Sequence, residues 1–193
     1  SNVSLTITAK AGQDDKLFGA IISEIISEEL KNQVKIDIDK HQIVLDERLY
    51  IKDVLKECLY LISNLQKKML KRAEENFNVI MPAYTHLQQS QPVLLSHYLL
   101  SYIEMLERDK NRMEEALKRV DILPAGVCAC CGTSLPIDRK YLAKTLGFSD
   151  VSKNSLDTVA SRDFLLESAF VCVLLMLNLS RFSEDIILWS TSE

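Results

Sequence analysis

Hydrophobic residues recur every three or four positions over most of this chain, which is the pattern of amphipathic helices. The first such segment covers residues 42–77, and the second begins after Gln91-Pro92 and ends at Leu123-Pro124. The stripe on the first predicted helix comprises Ile51, Leu55, Cys58, Ile62, Leu65, Met69 and Ala73. The stripe on the second comprises Leu95, Leu99, Ile103, Leu106, Met113, Leu117 and Val120, and Lys110 interrupts it at one step. Long stripes of this kind predict helices that pack into a bundle.

The opposite face of the second predicted helix is strongly charged, which is typical of a face in contact with solvent. It comprises Glu107, Arg108, Asp109, Arg112, Glu114 and Glu115.

The last predicted helix, residues 159–189, has two hydrophobic stripes. One comprises Leu165, Ala169, Cys172, Met176, Leu179, Ser183 and Ile186, and the other comprises Leu166, Phe170, Val173 and Leu177. A helix that is apolar over so much of its circumference is buried on several sides, and in a chain of this size we expect burial against other subunits. Its most apolar run, residues 167–181, is too short to span a bilayer, so we predict a core helix and no membrane.

The first 40 residues have a different pattern. Val3, Leu5 and Ile7 alternate with polar residues, as strand residues do, and a helical spacing follows before a second alternation at residues 34–39. The sequence therefore predicts a small β-α-β element at residues 1–40, followed by an all-α domain of long helices at residues 41–193.

Composition supports a globular helical protein. Of 193 residues, 47% are hydrophobic and 26% are charged, and only five are glycine and four proline. The net charge of −4 predicts no nucleic-acid partner. The start of the chain does not resemble a secretory signal, and Cys128, Cys130 and Cys131 lack the second pair of thiols or the histidine that would complete a zinc site. We expect a reduced, cytoplasmic protein whose cysteines are small core residues, with a redox or metal role as the less favoured alternative.

Residues 81–92 hold the candidate chemistry. This polar stretch, which contains Pro82 near its start and Pro92 at its end, separates two long predicted helices and contains His86 beside Thr85. Spacing alone leaves His86 open as a chemical or a structural residue. A second stretch, residues 124–137, is rich in small residues and is either a wall beside a ligand or a close helix crossing. Asp138 then caps a short helix that ends at Gly147.

From about residue 42 onward the chain resembles the argininosuccinate lyases of the fumarase/aspartase superfamily. The resemblance rests on residues 45–50, 81–92, 123–139, 154–157, 161–164 and 179–189, which follow one another in family order. Its most specific part is Thr85-His86-Leu87-Gln88 followed by Gln91-Pro92.

This resemblance implies a helical homotetramer that needs no cofactor or metal and that reversibly eliminates arginine from argininosuccinate, leaving fumarate. It assigns Thr85 to a substrate carboxylate, His86 to acid/base work, directly or through a water, and Gln88 to a substrate or supporting contact.

The chain departs from the family at two other motifs that contribute to the active site. Only Gln42 matches the Ser-Arg-Asn-Asp-Gln run expected before the first long helix, and residues 37–41 differ. The serine-containing loop expected after the last helix lies beyond Glu193. Two alternatives to the enzyme therefore stay open: a non-catalytic helical oligomer that keeps the scaffold, and an interaction module that binds a partner through residues 1–40.

Overall fold

The computed structural model describes residues 45–128 and 131–191. Within them lie three long helices, α1 (Leu45–Glu75), α2 (Leu95–Val120) and α5 (Asp163–Ser190), and two short ones, α3 (Arg139–Leu146) and α4 (Ser155–Ala160). Strands β1 (Ile80–Thr85) and β2 (Gln88–Leu94) form an antiparallel hairpin, and β3 (Ile122–Leu123) pairs in parallel with β4 (Asp150–Val151). The all-α class predicted from the stripes is confirmed. The β-α-β element predicted for residues 1–40 lies outside the described residues.

The chain divides into two compact units. Of the described residues, the first unit contains 45–54, 118–128 and 131–166, and the second contains 55–117 and 167–191.

In the first unit, a hydrophobic cluster of Leu45, Leu123, Ala143 and Phe148 lies beside two buried cations. The guanidinium of Arg48 donates to the carbonyls of Arg119 and Val120, at 2.8 and 3.1 Å, and lies 3.9 Å from the centre of the Phe164 ring. The ammonium of Lys52 donates to Asp121 and to the carbonyl of Gly147. Both cations therefore donate to backbone carbonyls at the C-terminal ends of α2 and α3. Carbonyls at a helix end have no amide of the same helix to accept from, and a positive charge there is favourable.

The short helices in this unit begin and end where capping residues predict. The carboxylate of Asp138 accepts from the amide of Tyr141, and Gly147 ends α3 with a φ of 73°, as expected from the sequence. Asn154 caps α4 in the same way. The last helix differs from the prediction: residues 155–160 form the separate helix α4, and α5 starts at Asp163 after a break at Ser161, whose hydroxyl donates to the Asp163 carboxylate.

In the second unit, the buried face of α2 differs from the predicted stripe in its middle turns. Its buried residues are spaced alternately by three and four positions: Leu99, Tyr102, Leu106, Asp109, Met113 and Ala116. Asp109 was predicted to face solvent and is instead 1% exposed. The carboxylate is tolerated there because Asn178 donates to it at 2.7 Å and Arg112 at 2.9 Å. Polar contacts also join α1 to α2, where the Gln66 amide donates to the carbonyl of Ile103 and to Glu107.

Helix α5 buries a different face from the two stripes predicted. Its buried positions are Phe164, Ser168, Val171 and Leu175, whereas the second predicted stripe, Leu166, Phe170, Val173 and Leu177, is between 54% and 71% exposed. From the first stripe, Met176 is also exposed and Cys172 is half-buried. The described chain therefore does not bury these stripes itself, and their burial against other subunits stays a prediction. Within the part of the chain that the structure describes, α5 is also the one helix long and apolar enough to cross a membrane.

Candidate functional site

The polar stretch that separates the two long predicted helices, residues 81–92, is part of a β-hairpin. Thr85 pairs with Gln88, and His86 and Leu87 form the two-residue turn between them with φ values of 51° and 62°. Two successive positive φ angles define a type I′ turn, whose twist matches that of the paired strands. Neither turn residue is glycine, so each is held in a conformation that costs about 1–2 kcal/mol for an ordinary side chain.

Two prolines in a short stretch normally argue against β-strands. The pairing register of the hairpin explains why both prolines are tolerated here. Pro82 lies opposite Pro92, and the pairing shifts by one residue between Pro82 and Tyr84. Proline cannot donate to a ladder, but a two-stranded ribbon has free edges and this one contains a bulge, the two settings in which strand prolines occur.

Strand alternation places two of the candidate residues on one face of the hairpin. Met81 and Ala83 are partly buried, and Thr85 follows them at the same two-residue interval. Gln88 shares this face because it lies directly opposite Thr85.

All three candidate side chains are available to a ligand. Thr85, His86 and Gln88 are exposed. Within residues 45–128 and 131–191 their side chains make no hydrogen bond or ion pair. The turn therefore presents a hydroxyl, an imidazole and a carboxamide within four residues, and these groups can donate to or accept from an oxyanion and exchange a proton.

The base of the hairpin is fixed to the start of α2. The amide of Leu95 donates to the carbonyl of Val79 at 2.8 Å, and the buried hydroxyl of Ser96 donates to the carbonyl of Phe77 at 3.3 Å. The site residues therefore extend from a short ribbon whose two ends are attached to one helix terminus. His97, in the same terminus, is exposed.

Arg139 makes the main side-chain contacts of the small-residue segment that follows β3. The hydrophobic periodicity of the sequence did not predict this role. The guanidinium donates to the carbonyls of Ala125 and Ser152, at 3.0 and 2.8 Å, and to the hydroxyl of Ser152. Gly126 has a φ of 85°, and a Cβ there would lie 2.9 Å from Cγ of Arg139, so both the backbone angle and the space require glycine. The described part of the segment is thus a loop around an arginine, and the choice between a wall beside a ligand and a close helix crossing stays open.

The cysteines differ from the prediction that they are core residues. Cys128 and Cys131 are exposed, and Cys128 has a positive φ of 53° in the loop, while Cys130 lies outside the described residues. Cys58 and Cys172 are half-buried, and burial raises the pKa of both thiols. Among the residues that the structure describes, no group of three histidine, cysteine or acidic side chains could hold a metal ion.

Comparison with known proteins gives the same class as the fold. Two solved structures of an EDDS lyase, one in complex with formate and one a variant with bound fumarate, superpose with TM-scores of 0.79 and 0.80 at 27% identity, over 87% of this chain and 35% of theirs. A class II fumarase from Schistosoma mansoni superposes with a TM-score of 0.72 at 19% identity, over 88% of this chain and 44% of that one, which supports the fold alone. The long-helix bundle is that of the fumarase/aspartase superfamily.

Sequence comparison then identifies the family. A family model described as "Lyase" matches residues 21–193, and the chain belongs to this family. The argininosuccinate lyases of Geotalea daltonii and Sulfurihydrogenibium sp. are 53% and 49% identical to it over 152 residues, or 79% of this chain. The chain spans about a third of the length of these curated relatives, 33% in both cases. The predicted resemblance to argininosuccinate lyases is confirmed.

Proposed function

We propose that this chain is the central helical part of an enzyme that reversibly cleaves argininosuccinate into arginine and fumarate. The observation that carries the proposal is the Thr85-His86-Leu87-Gln88 turn. Its Thr85, His86 and Gln88 side chains are exposed and make no hydrogen bond or ion pair among the residues that the structure describes. It occurs in a sequence that is 53% identical to an argininosuccinate lyase over 152 residues.

The turn has groups that suit the chemistry of this elimination. A proton leaves the carbon next to a carboxylate, the electrons of that C–H bond form the new C=C bond, and the electrons of the C–N bond leave with the guanidinium nitrogen, which takes up a proton. Negative charge develops on the carboxylate as the C–H bond breaks, so hydrogen-bond donors placed there lower the barrier. We assign Thr85 to donate to that carboxylate and Gln88, on the same face of the hairpin, to a second substrate contact.

We assign His86 to proton transfer, directly or through one water. Imidazole is the side chain whose unperturbed pKa lies nearest neutrality, so it can both accept and return a proton at cellular pH.

An exposed hairpin cannot exclude water by itself, so we propose that the site is completed by other subunits of a homotetramer. The supporting observation is the exposed face formed by Leu166, Phe170, Val173 and Leu177 on α5. Fully burying an aliphatic or aromatic side chain contributes about 1.5–3 kcal/mol, so four such residues per chain favour association strongly.

We also propose that the protein is soluble and cytoplasmic, and that the apolarity of α5 serves assembly. The helix contains Arg181, Glu184 and Asp185 in its C-terminal half. Asp185 accepts hydrogen bonds from two tyrosines of α2, so this end of α5 packs against protein. Ionised side chains inside a bilayer are costly, which disfavours a spanning orientation.

The proposal is tested by following fumarate absorbance after argininosuccinate is added. We expect His86→Asn to lower kcat by about 100-fold or more, the range for loss of a general acid or base. His97→Asn is the matched control, because this exposed histidine lies in the next helix and should leave kcat unchanged. Equal activity of His86→Asn and wild type would refute the assignment of His86.

The alternative function is a helical oligomer without catalysis. The sequence at residues 37–41 favours it, because the serine and asparagine that the family places there are replaced by Ile38 and Lys40. A well-folded tetramer that forms no fumarate would support this alternative and refute the lyase activity.

A further inference from the structure

The end of α5 is joined to the start of α2 by a carboxylate surrounded by aromatic rings. The hydroxyls of Tyr98 and Tyr102 both donate to the same oxygen, Oδ2, of Asp185. The ring of Tyr98 packs against Trp189 with centroids 5.0 Å apart, and that of Tyr102 packs against Phe182 at 4.9 Å. The two tyrosine rings are themselves 5.7 Å apart. We call these five residues the Asp185 clamp.

The clamp is a strong and directional contact. Hydrogen bonds to an ionised carboxylate are roughly twice as strong as those between neutral groups. Burial, with the hydrogen bonds to Asp185, raises the pKa of both phenols, so both remain donors over the whole neutral range. Replacing either partner leaves the other half-buried with an unmet hydrogen bond.

The clamp lies one helical turn from the hairpin that carries the site. Ser96, whose hydroxyl donates to the carbonyl of Phe77, is two residues before Tyr98. Leu95, whose amide donates to the carbonyl of Val79, is three residues before Tyr98. A two-stranded hairpin is at best marginally stable by itself. Its conformation therefore depends on the helix terminus to which it is attached, and the Asp185 clamp packs that terminus against α5.

We propose that Asp185, through Tyr98 and Tyr102, is a positioning residue for the hairpin and so for Thr85 and His86. It touches no substrate. It holds the first turn of α2 against α5, and the hydrogen bonds of Leu95 and Ser96 pass that constraint to the strands. The consequence for catalysis rests on the function proposed above, whereas the consequence for the hairpin does not.

The first test measures the hairpin without reference to activity. In the complete protein, Asp185→Asn should accelerate amide exchange of residues 80–95 by about tenfold, because a hydrogen bond of this kind contributes roughly that factor to a local equilibrium. Amide exchange in α1 should not change, and this comparison separates a local effect from general destabilisation. Glu184→Gln is the matched control, because it removes the neighbouring carboxylate on an exposed part of the same helix.

Milder variants keep the test decisive if Asp185→Asn fails to fold. Tyr98→Phe removes one hydroxyl and keeps the ring, and Tyr60→Phe removes the hydroxyl of an exposed tyrosine on α1 as its control. Asp185→Glu, which restores the carboxylate, should recover part of the protection. Unchanged exchange at residues 80–95, or equal acceleration in α1, would overturn the proposal.

A second readout connects the clamp to turnover. We expect Tyr98→Phe and Asp185→Asn to lower kcat by about tenfold with a smaller change in KM, because geometry at the reacting atoms is lost more than substrate binding. If the wild-type protein forms no fumarate, the proposed function fails while the exchange measurement still decides the role of Asp185.

Discussion

The carboxylate of Asp109 shows how far a single side chain can depart from its sequence pattern. It follows Glu107 and Arg108 in a charged run, and charge there predicts solvent. The helix nevertheless places it between Leu106 and Met113 on the buried face of α2. What allows this is a partner on another helix, Asn178, which no periodicity in the sequence connects to Asp109.

We expect Asn178→Ala to lower the free energy of unfolding by about 2 kcal/mol, because it removes a donor from a buried carboxylate and leaves that charge under-satisfied. Chemical denaturation of the two proteins measures the difference. Ser180→Ala, an exposed change on the same helix, should alter stability by less than about 0.5 kcal/mol. A loss for Asn178→Ala no larger than that of the control would show that Arg112 alone satisfies Asp109.

The site residues were identified by a different route from the core residues. Thr85, His86 and Gln88 stand in a polar stretch whose spacing does not distinguish a site from a surface turn, and only the family resemblance selected them. The structure adds that their side chains are exposed and make no hydrogen bond or ion pair within the described ranges. Their roles in binding and proton transfer remain a prediction.

At the scale of elements, the hairpin turn makes a prediction of its own. Leu87 has a φ of 62° and is largely exposed, so its side chain contributes strain and little packing. Leu87→Gly should relieve that strain, whereas Leu87→Val should increase it, because a β-branched residue is least tolerated at positive φ. We expect the two variants to differ in hairpin stability by about 1–2 kcal/mol.

Amide exchange of Tyr84 and Gln89, which pair beside the turn, measures that difference. Slower exchange in the glycine variant than in the valine variant is the expected order. The reverse order would show that contacts of the Leu87 side chain, and not the backbone, hold the turn.

The long helices and the hairpin also show which elements a sequence reveals. Helices α1 and α2 were predicted to within a few residues, since a period of three to four positions is unmistakable over many turns. The hairpin was missed because its alternation is short, interrupted by a bulge and marked by two prolines that normally argue against strands. The face that α5 buries within its own chain could not be chosen from the sequence, since a helix that is apolar on nearly all sides gives no period that marks one face.

At the scale of the whole molecule, the exposed face of α5 and the exposed hairpin have a common explanation. Leu166, Phe170, Val173 and Leu177 would leave a row of apolar side chains in water if the chain stayed single. Thr85, His86 and Gln88 would likewise act in bulk water, where hydrogen bonds to a developing charge are weakest. Association of subunits through α5 would remove the apolar face and the hairpin from water at the same time. A variant that cannot assemble should therefore also lose activity.

Phe170→Glu tests that coupling. Placing a carboxylate in the apolar face of α5 should dissociate the proposed tetramer at micromolar concentration, because an unpaired charge buried at an interface costs several kcal/mol. Phe170→Leu, which keeps the position apolar, should remain tetrameric. Light scattering gives the mass of each variant, and fumarate release gives its activity. The coupling predicts that Phe170→Glu loses both, while its helical circular dichroism is retained because Phe170 is 60% exposed in its own chain. A wild-type monomer, or a Phe170→Glu tetramer, would show that α5 does not form the subunit interface.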